Sequence, residues 1–496
     1  MHSQREELPA AAPASTRLSA VDVARRVLVR VEAGAYASLT LSGEMDRARL
    51  DESSRGLCTE LVYGSLRKQA VLDAALLRLA PRGLATLDPQ VRVLLRLGAY
   101  QLLFTRVPKP RAVNQVVTVL RTLRGPGLAG FANALLRRLS REGLPPTPPL
   151  PADATDDQIC AALVTQHGLP AFLIADLLAL LGRDGAEALC ASLEAPAPTW
   201  LRLNSLRGTF AEARAALLRE GVALIEKADS PDENPSALAE DAVLSGLPEA
   251  VRLRSGYPFA GAAYAEGWFT AQDLGAQLVA RLLLSDGDGG PLTLPEGPLL
   301  DACCGTGGKA THLAALLAAR GEARAIDAAD RSLRKLDLCR EHIHRLRCRD
   351  VRPLQLDLLR ADALADALRP RYAAILLDAP CSGSGVLRRH PEARTRLHEP
   401  DVNVLAQTQR RMVSGLLPYL SVGGVLVYAV CSPLREEGPA VLADVLRAHP
   451  ELSPLPPPLT QAPWSHVHRA QTDGLYTWPH EHNADSFYAI RLTRTR

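Results

Sequence analysis

The chain lacks the marks of a secreted, membrane-spanning or metal-stapled protein. Its nine cysteines are Cys58, Cys160, Cys190, Cys303, Cys304, Cys339, Cys348, Cys381 and Cys431. The number is odd and no two stand in Cys-x-x-Cys spacing, so neither a disulfide framework nor a zinc ribbon is expected, and no metal site. The first residues, Met1-His2-Ser3-Gln4-Arg5-Glu6-Glu7, are polar and run into Ala and Pro, without the apolar segment of a signal peptide. No apolar run is long enough to span a bilayer. A cytoplasmic monomer with no membrane contact is the expectation. Aromatic residues are scarce, at 4%. Charged residues at 22% and hydrophobic residues at 47% are ordinary for a globular chain. At 496 residues the chain exceeds a single core, and two to four domains are expected.

A net charge of +3 conceals an asymmetry. Residues 1–150 hold 22 Lys and Arg against 12 Asp and Glu, a net of +10. Residues 151–300 hold 9 against 21, a net of −12. A basic first third beside an acidic middle suggests a polyanion partner for the former. A solvated, arginine-rich helical surface explains the charge about as well.

Pattern divides the chain further. Residues 1–16 are small, polar and Pro-containing, and read as a disordered N-terminus. Residues 17–144 read as an all-α bundle. Ser19-Ala20-Val21-Asp22 caps a first helix, and further helical runs fall near 53–80, 88–104, 110–124 and 127–142. Residues 145–151 form a Pro-rich linker. Residues 152–265 read as a small α+β module, with helices over 155–195, a strand at Pro198–Asn204, a helix near 209–220 and a strand at 222–226. An acidic loop at Ala228–Pro235 is read as solvated. Residues 266–496 open with an amphipathic helix, Leu274–Leu284, and a flexible insertion at Ser285–Gly290. Strands then alternate with helices, near 299–303, 323–327, 351–356, 372–377 and 424–430, with a last strand pair near Leu475–Trp478 and Phe487–Leu492. That alternation predicts a doubly wound, mainly parallel α/β sheet of Rossmann-like class.

Chemistry gathers at the predicted strand ends, where open α/β sheets bind ligands. Asp301-Ala302-Cys303-Cys304-Gly305-Thr306-Gly307-Gly308-Lys309 joins the first strand to a helix. Its glycines allow close backbone approach, and the helix start favours an anionic group. The stretch is neither a Walker motif nor Gly-x-Gly-x-x-Gly. Asp327 is read as closing the second strand, where it would meet ribose hydroxyls; Asp357 closes the third, facing an adenine amino group. One acid at a strand end is more often a cap or turn former than a ligand. Three beside a Gly-rich turn fit a nucleoside cofactor, and without a dinucleotide fingerprint S-adenosyl-L-methionine is favoured over NAD. Asp378-Ala379-Pro380-Cys381-Ser382-Gly383-Ser384-Gly385 leaves the fourth strand, and Cys431-Ser432-Pro433 the fifth. Neighbouring strands would place both thiols on the cofactor side, where a deprotonated thiol is a nucleophile.

The Asp378–Gly385 stretch, followed by Arg388-Arg389-His390-Pro391, resembles the fourth motif of the Sun/Nop-type RNA cytosine-5 methyltransferases. Tyr428-Ala429-Val430-Cys431-Ser432 with Glu436-Glu437 resembles the sixth, and Asp301-Ala302-Cys303 with Gly307-Gly308-Lys309 the first. Trp200-Leu201-Arg202-Leu203-Asn204, Gln272-Asp273 and Phe487-Tyr488-Ala489 are similar to accompanying signatures. Residues 60–67, 99–104 and 131–137 resemble a NusB-like RNA-binding domain, a fusion found in the bacterial branch that acts on 16S rRNA. Gly305-Thr306 stand where the family usually has Ala-Pro, and Val430 where it has Thr.

The resemblance implies a class I S-adenosyl-L-methionine-dependent methyltransferase acting on C5 of an RNA cytosine. It implies Cys431 as the nucleophile that adds to C6, Cys381 as the thiol that completes release, and Asp378 as the residue that recognises the base. Cys303, Cys304, Gly305, Thr306, Gly307, Gly308, Lys309, Asp327, Asp357 and Asp378 are the expected cofactor contacts. Lys309 would orient Asp378 or the cofactor carboxylate, and Arg388, Arg389 and His390 are candidates for RNA phosphates. The alternatives are a tRNA or other RNA cytosine-5 methyltransferase, and a weakly active RNA-binding assembly factor. A DNA methyltransferase is disfavoured, since those use the Pro-Cys thiol.

Overall fold

The computed structural model describes residues 18–80, 83–145, 150–225, 241, 243–285, 292–457, 459–460, 462–469 and 474–496. The expected disordered N-terminus, the acidic loop, the 286–290 insertion and most of the Pro-rich linker lie outside the described residues. The chain forms two compact units. One comprises Met1–Pro151 with the short segments Thr165–Gly168 and His390–Glu392; the other holds the rest.

The first unit is all-α. Its helices are α1 (Ala20–Glu32), α2 (Ala37–Arg47), α3 (Glu52–Arg67), α4 (Gln69–Leu77), α5 (Pro89–Phe104), α6 (Lys109–Arg124) and α7 (Pro126–Glu142). Ser19 caps α1 as its sequence requires, accepting the Asp22 N–H at 3.2 Å. Val27, Leu61, Leu94, Leu95, Val116 and Leu136 are fully buried and form the core. The single run expected over 53–80 is two helices, broken at Lys68 (φ −99°, ψ 11°). Helix α2 carries no strong sequence signal: its N-cap Tyr36 makes no capping bond, and Thr40, Ser42 and Gly43 are indifferent helix formers.

The second unit holds two sheets. The smaller has strands β1 (Trp200–Leu203), β2 (Ala223–Ile225), β3 (Ala250–Ser255) and β4 (Phe269–Ala271), ordered β2-β3-β1-β4 and antiparallel throughout. Its edge strand β4 lies past residue 265, where the module was expected to end. The larger sheet contains β5 (Leu299–Asp301), β6 (Ile326–Asp330), β7 (Val351–Gln355), β8 (Tyr372–Asp378), β9 (Leu420–Val430), β10 (Leu452–Pro454), β11 (His468–Arg469), β12 (Gly474–Thr477) and β13 (Phe487–Arg494). Its order is β11-β12-β13-β9-β8-β5-β6-β7, with β10 paired to β13. Strands β5 to β9 are mutually parallel; β13 runs antiparallel against β9. The chain builds outward from β5 to β7, then returns to β8 and β9. The direction of winding therefore changes between β5 and β8, the place where such sheets open a ligand crevice. Ala373, Ala374, Ile375 and Leu376 of β8 and Val427 of β9 are fully buried, which is why these strands read as continuous apolar runs. Among the described residues no helix is long and apolar enough to cross a membrane.

Candidate active site

At the end of β5 the backbone turns through Gly305 (φ +55°) and Gly307 (φ +84°) into the helix Gly308–Ala319. Gly307 is constrained twice, by its left-handed backbone and by space: a Cβ there would lie 2.6 Å from Cys339 Sγ. The turn is anchored from the smaller sheet. Arg202 on β1 is buried and donates to the Gly308 carbonyl at 2.6 Å and to Thr311 Oγ1 at 2.9 Å, and it also bonds Gln272 Oε1. Asn204 donates to the carbonyls of Gly267 (2.8 Å) and Leu346 (2.9 Å). The Trp200–Asn204 motif is thus the brace that fixes the glycine turn.

Acids line the ends of the adjoining strands. Asp301 is fully buried at the end of β5, and burial pushes its carboxyl up to about 7 against the pull of the Lys309 ammonium. Asp378 ends β8, and Lys309 Nζ donates to its Oδ2 at 2.6 Å across the crevice. Burial works against the Lys309 charge, but Asp378 outweighs it and holds the ammonium above its ordinary pKa. Asp357 lies two residues past β7, partly buried, its Oδ1 accepting the Leu359 N–H at 3.0 Å.

Asp327 does not close the second strand. It sits inside β6, fully buried, with its carboxylate taken by Arg352 (2.9 Å), Arg369 (3.0 Å) and Tyr372 Oη (2.7 Å). The strand continues through Ala328 and Ala329 and ends at Asp330. Asp330 accepts the Gly305 N–H at 3.1 Å and the Ser332 N–H at 2.8 Å, so it belongs to the glycine turn. The apolar Ala-Ala pair and the Ser332 cap of the next helix carried the signal for that boundary.

The two thiols meet. Cys381 Sγ and Cys431 Sγ are 3.3 Å apart, brought together because β8 and β9 pair with Asp378 opposite Ala429. Contact with Cys431 and burial push the Cys381 thiol well above the ordinary range. Both loops are pinned. Glu437, fully buried, accepts from Ser382 N (2.8 Å), Ser382 Oγ (2.6 Å) and Gln409 Nε2 (3.2 Å). Ser384 Oγ meets Ser432 Oγ at 2.8 Å, tying one loop to the other. Gly385 donates to the Cys431 carbonyl and accepts from Ser486 N, both at 3.0 Å. A Cβ at Gly385 would lie 2.1 Å from Ser486 O.

Two of the three proposed phosphate contacts are occupied within the protein. Arg389 donates to Asp485 and Asp273, each at 2.7 Å, and Arg388 to Asn483 Oδ1 at 2.8 Å. Those partners lie about 95 or more residues away in the chain, so sequence proximity gave no sign of them. His390 is half-exposed, its Nδ1 3.8 Å from Glu392.

Comparison with known proteins covers most of the chain. Residues 293–493 match the model described as 16S rRNA methyltransferase RsmB/F, residues 14–141 the NusB family, and residues 169–233 the ferredoxin-like domain of RsmF/B-like methyltransferases. The ribosomal RNA small subunit methyltransferase B of Pseudomonas putida is 34% identical over 86% of this chain and 88% of its own length. That of Yersinia pseudotuberculosis is 30% identical, covering 90% and 92%. The crystal structure titled PH0851 shares the fold with a TM-score of 0.74 at 21% identity, over 96% of this chain and 98% of its own. On these matches the chain belongs to the RsmB/F family of 16S rRNA methyltransferases.

Proposed function

We propose that the protein transfers a methyl group from S-adenosyl-L-methionine to C5 of a cytosine in small-subunit rRNA, through a covalent adduct with Cys431. The observation that carries this reading is the 3.3 Å apposition of Cys381 and Cys431 beside the Lys309–Asp378 pair.

The crevice suits the cofactor. The turn at Gly305 and Gly307 leaves room for close approach, and Asp301, Asp330 and Asp378 present carboxylates at the ends of three adjoining strands. Asp330 and Asp357 take the nucleoside hydroxyls and adenine amine; the glycine turn takes the methionyl end. When bound, the cofactor supplies an electrophilic methyl on sulfonium sulfur.

Cytosine C5 is a weak nucleophile until the ring is saturated at C6. The target base leaves its stack to enter the crevice. The Cys431 thiolate adds to C6, its electron pair forming the S–C6 bond while the ring pair moves to C5, which becomes able to attack the methyl. Asp378 accepts from the exocyclic amine at the N3 edge and stabilises the adduct, with Lys309 holding its carboxylate in place. After methylation Cys381 gives its proton to the Cys431 sulfur as the S–C6 bond breaks, and takes up the proton lost from C5. The ring regains aromaticity and both thiols are restored.

The test is transfer of labelled methyl from S-adenosyl-L-methionine to transcribed 16S rRNA and to tRNA, with bisulfite mapping of rRNA from a deletion strain. One lost 5-methylcytosine in 16S rRNA is the expected result. Labelling of tRNA alone would replace the substrate, and no labelling of either would leave the assembly-factor reading.

A further inference from the structure

The helical unit carries a groove that the methyl-transfer site does not use. It lies between α6 and α7 and encloses about 590 Å³. Lys109 and Arg121 of α6 and Arg137 and Arg141 of α7 line it, and no carboxylate does. All four are exposed. The two helices are consecutive and joined at Gly125, so Lys109 and Arg141 share one end of the groove while Arg121 stands toward the other. At 1.5 Å per residue, the stretch of α6 from Lys109 to Arg121 spreads these charges over roughly 18 Å.

A solvated helix face normally mixes signs. Several other arginines of this unit follow that rule. Arg124 pairs with Asp88 at 3.0 Å and Arg138 with Glu142 at 2.6 Å, and neither lines the groove. Arg96 bridges Glu32 and Asp73, and Arg30 and Arg47 share Glu44. Among the described residues, none of the four groove cations makes a salt bridge. Arg137 is held by a bond from Nε to Asn133 Oδ1 at 3.1 Å, which leaves its terminal amino groups for a bidentate phosphate contact. Ala129 and Gly130 line the groove between the charged walls, and a Cβ at Gly130 would meet nothing within 4 Å.

We propose that the α6–α7 groove binds the phosphodiester backbone of single-stranded rRNA, as an anchoring site separate from the methyl-transfer residues. The proposal rests on the rRNA substrate inferred above and names where part of that substrate is held.

The test uses the full chain and transcribed 16S rRNA. Filter binding between 50 and 200 mM salt is measured for the Arg121→Gln, Arg137→Gln, Arg141→Gln triple variant. The control carries the same charge loss outside the groove: Arg30→Gln, Arg47→Gln, Arg55→Gln. Each phosphate contact on a single strand contributes about 0.7 to the log–log salt slope, so the groove triple is expected to lose about 2 from its magnitude and the control little. Its KM for rRNA is expected to rise at least about tenfold with kcat within about twofold, since the groove only holds RNA. Gly130→Trp fills the groove without changing charge and is expected to weaken binding too, which decides the matter if the triple variant melts early. Equal slopes for triple and control, with Gly130→Trp binding normally, would overturn the groove. Absence of methylation by the parent protein would instead overturn the activity, leaving the slope comparison to judge the groove alone.

Discussion

Lys309 Nζ and Asp378 Oδ2 are 2.6 Å apart, and the bond between them crosses the point where the sheet changes its direction of winding. One partner starts the helix after β5 and the other ends β8. The pair therefore fixes the width of the crevice as well as the orientation of the Asp378 carboxylate. Lys309→Met is expected to lower kcat/KM by about 10²–10³-fold, the usual cost of losing a preorganised charge at a reacting centre. Asp378→Asn should fall in the same range, and the double variant should cost little more than either single change. Strictly additive losses in that cycle would mean the two residues act independently.

The proposed mechanism gives the two thiols separable roles. Cys431→Ala is expected to abolish methylation. Cys381→Ala should instead trap protein on RNA, visible as a slower band on a denaturing gel in the presence of S-adenosyl-L-methionine. Near-normal turnover by Cys431→Ala would reverse the assignment. So would an RNA-linked species formed by Cys431→Ala and not by Cys381→Ala.

The contact with the cofactor ribose expected of Asp327 is proposed instead for Asp330, Asp327 being held by Arg352, Arg369 and Tyr372. Asp327→Asn strips a charged partner from Arg352 and Arg369 and is expected to cost about 2 kcal/mol of stability, leaving cofactor affinity unchanged. Asp330→Asn is expected to weaken S-adenosyl-L-methionine binding by about tenfold or more, the worth of one hydrogen bond to a charged group. Calorimetric titration and thermal melting of both variants check this. Weakened cofactor binding by Asp327→Asn in a normally melting protein would restore the first reading.

Asp301 gives the cofactor-free protein a pH signature. Its carboxyl is raised from 3.8 to about 7 in the fold, so the folded state holds a proton that the unfolded chain has lost. Stability from this group is complete below pH 4 and declines as pH rises toward 7. Buried Asp485 is raised to about 7 as well and adds to the same decline. Asp301→Asn is expected to make the change in melting temperature from pH 4 to pH 7 less negative than in the parent protein. An unchanged slope would show that Asp301 does not carry the proton.

Much of this was legible because the sheet is buried on both faces. Its strands read as short apolar runs, and the glycine turn and the two Pro-flanked or Ser-flanked cysteines stand where those runs stop. Periodicity failed where side chains were ambiguous. Ala328-Ala329 extended β6 beyond an acid that looked terminal, and α2 lacks a side-chain cap and buries a face, Ala37, Thr40, Leu41, Glu44 and Met45, that mixes polar with apolar residues. Pairing failed where partners are distant in sequence. Arg389 looked like a free cation beside the motif until Asp273 and Asp485 were found on it. Arg202 read as one letter of a motif, and only the fold shows that it grips the Gly308 carbonyl from another sheet.

Gly385 has a consequence for the order in which the site is made. Its backbone is bonded to Cys431 on one side and to Ser486 on the other, with no room for a side chain. Residue 486 leaves the ribosome some fifty residues after Cys431. The two thiols can be paired on β8 and β9 and their loops tied through Glu437 and the Ser384–Ser432 contact before Ser486 adds its bond to Gly385. The clamp on Gly385 is thereby completed about fifty residues of synthesis after Cys431, and a nascent chain short of residue 486 carries both cysteines without it.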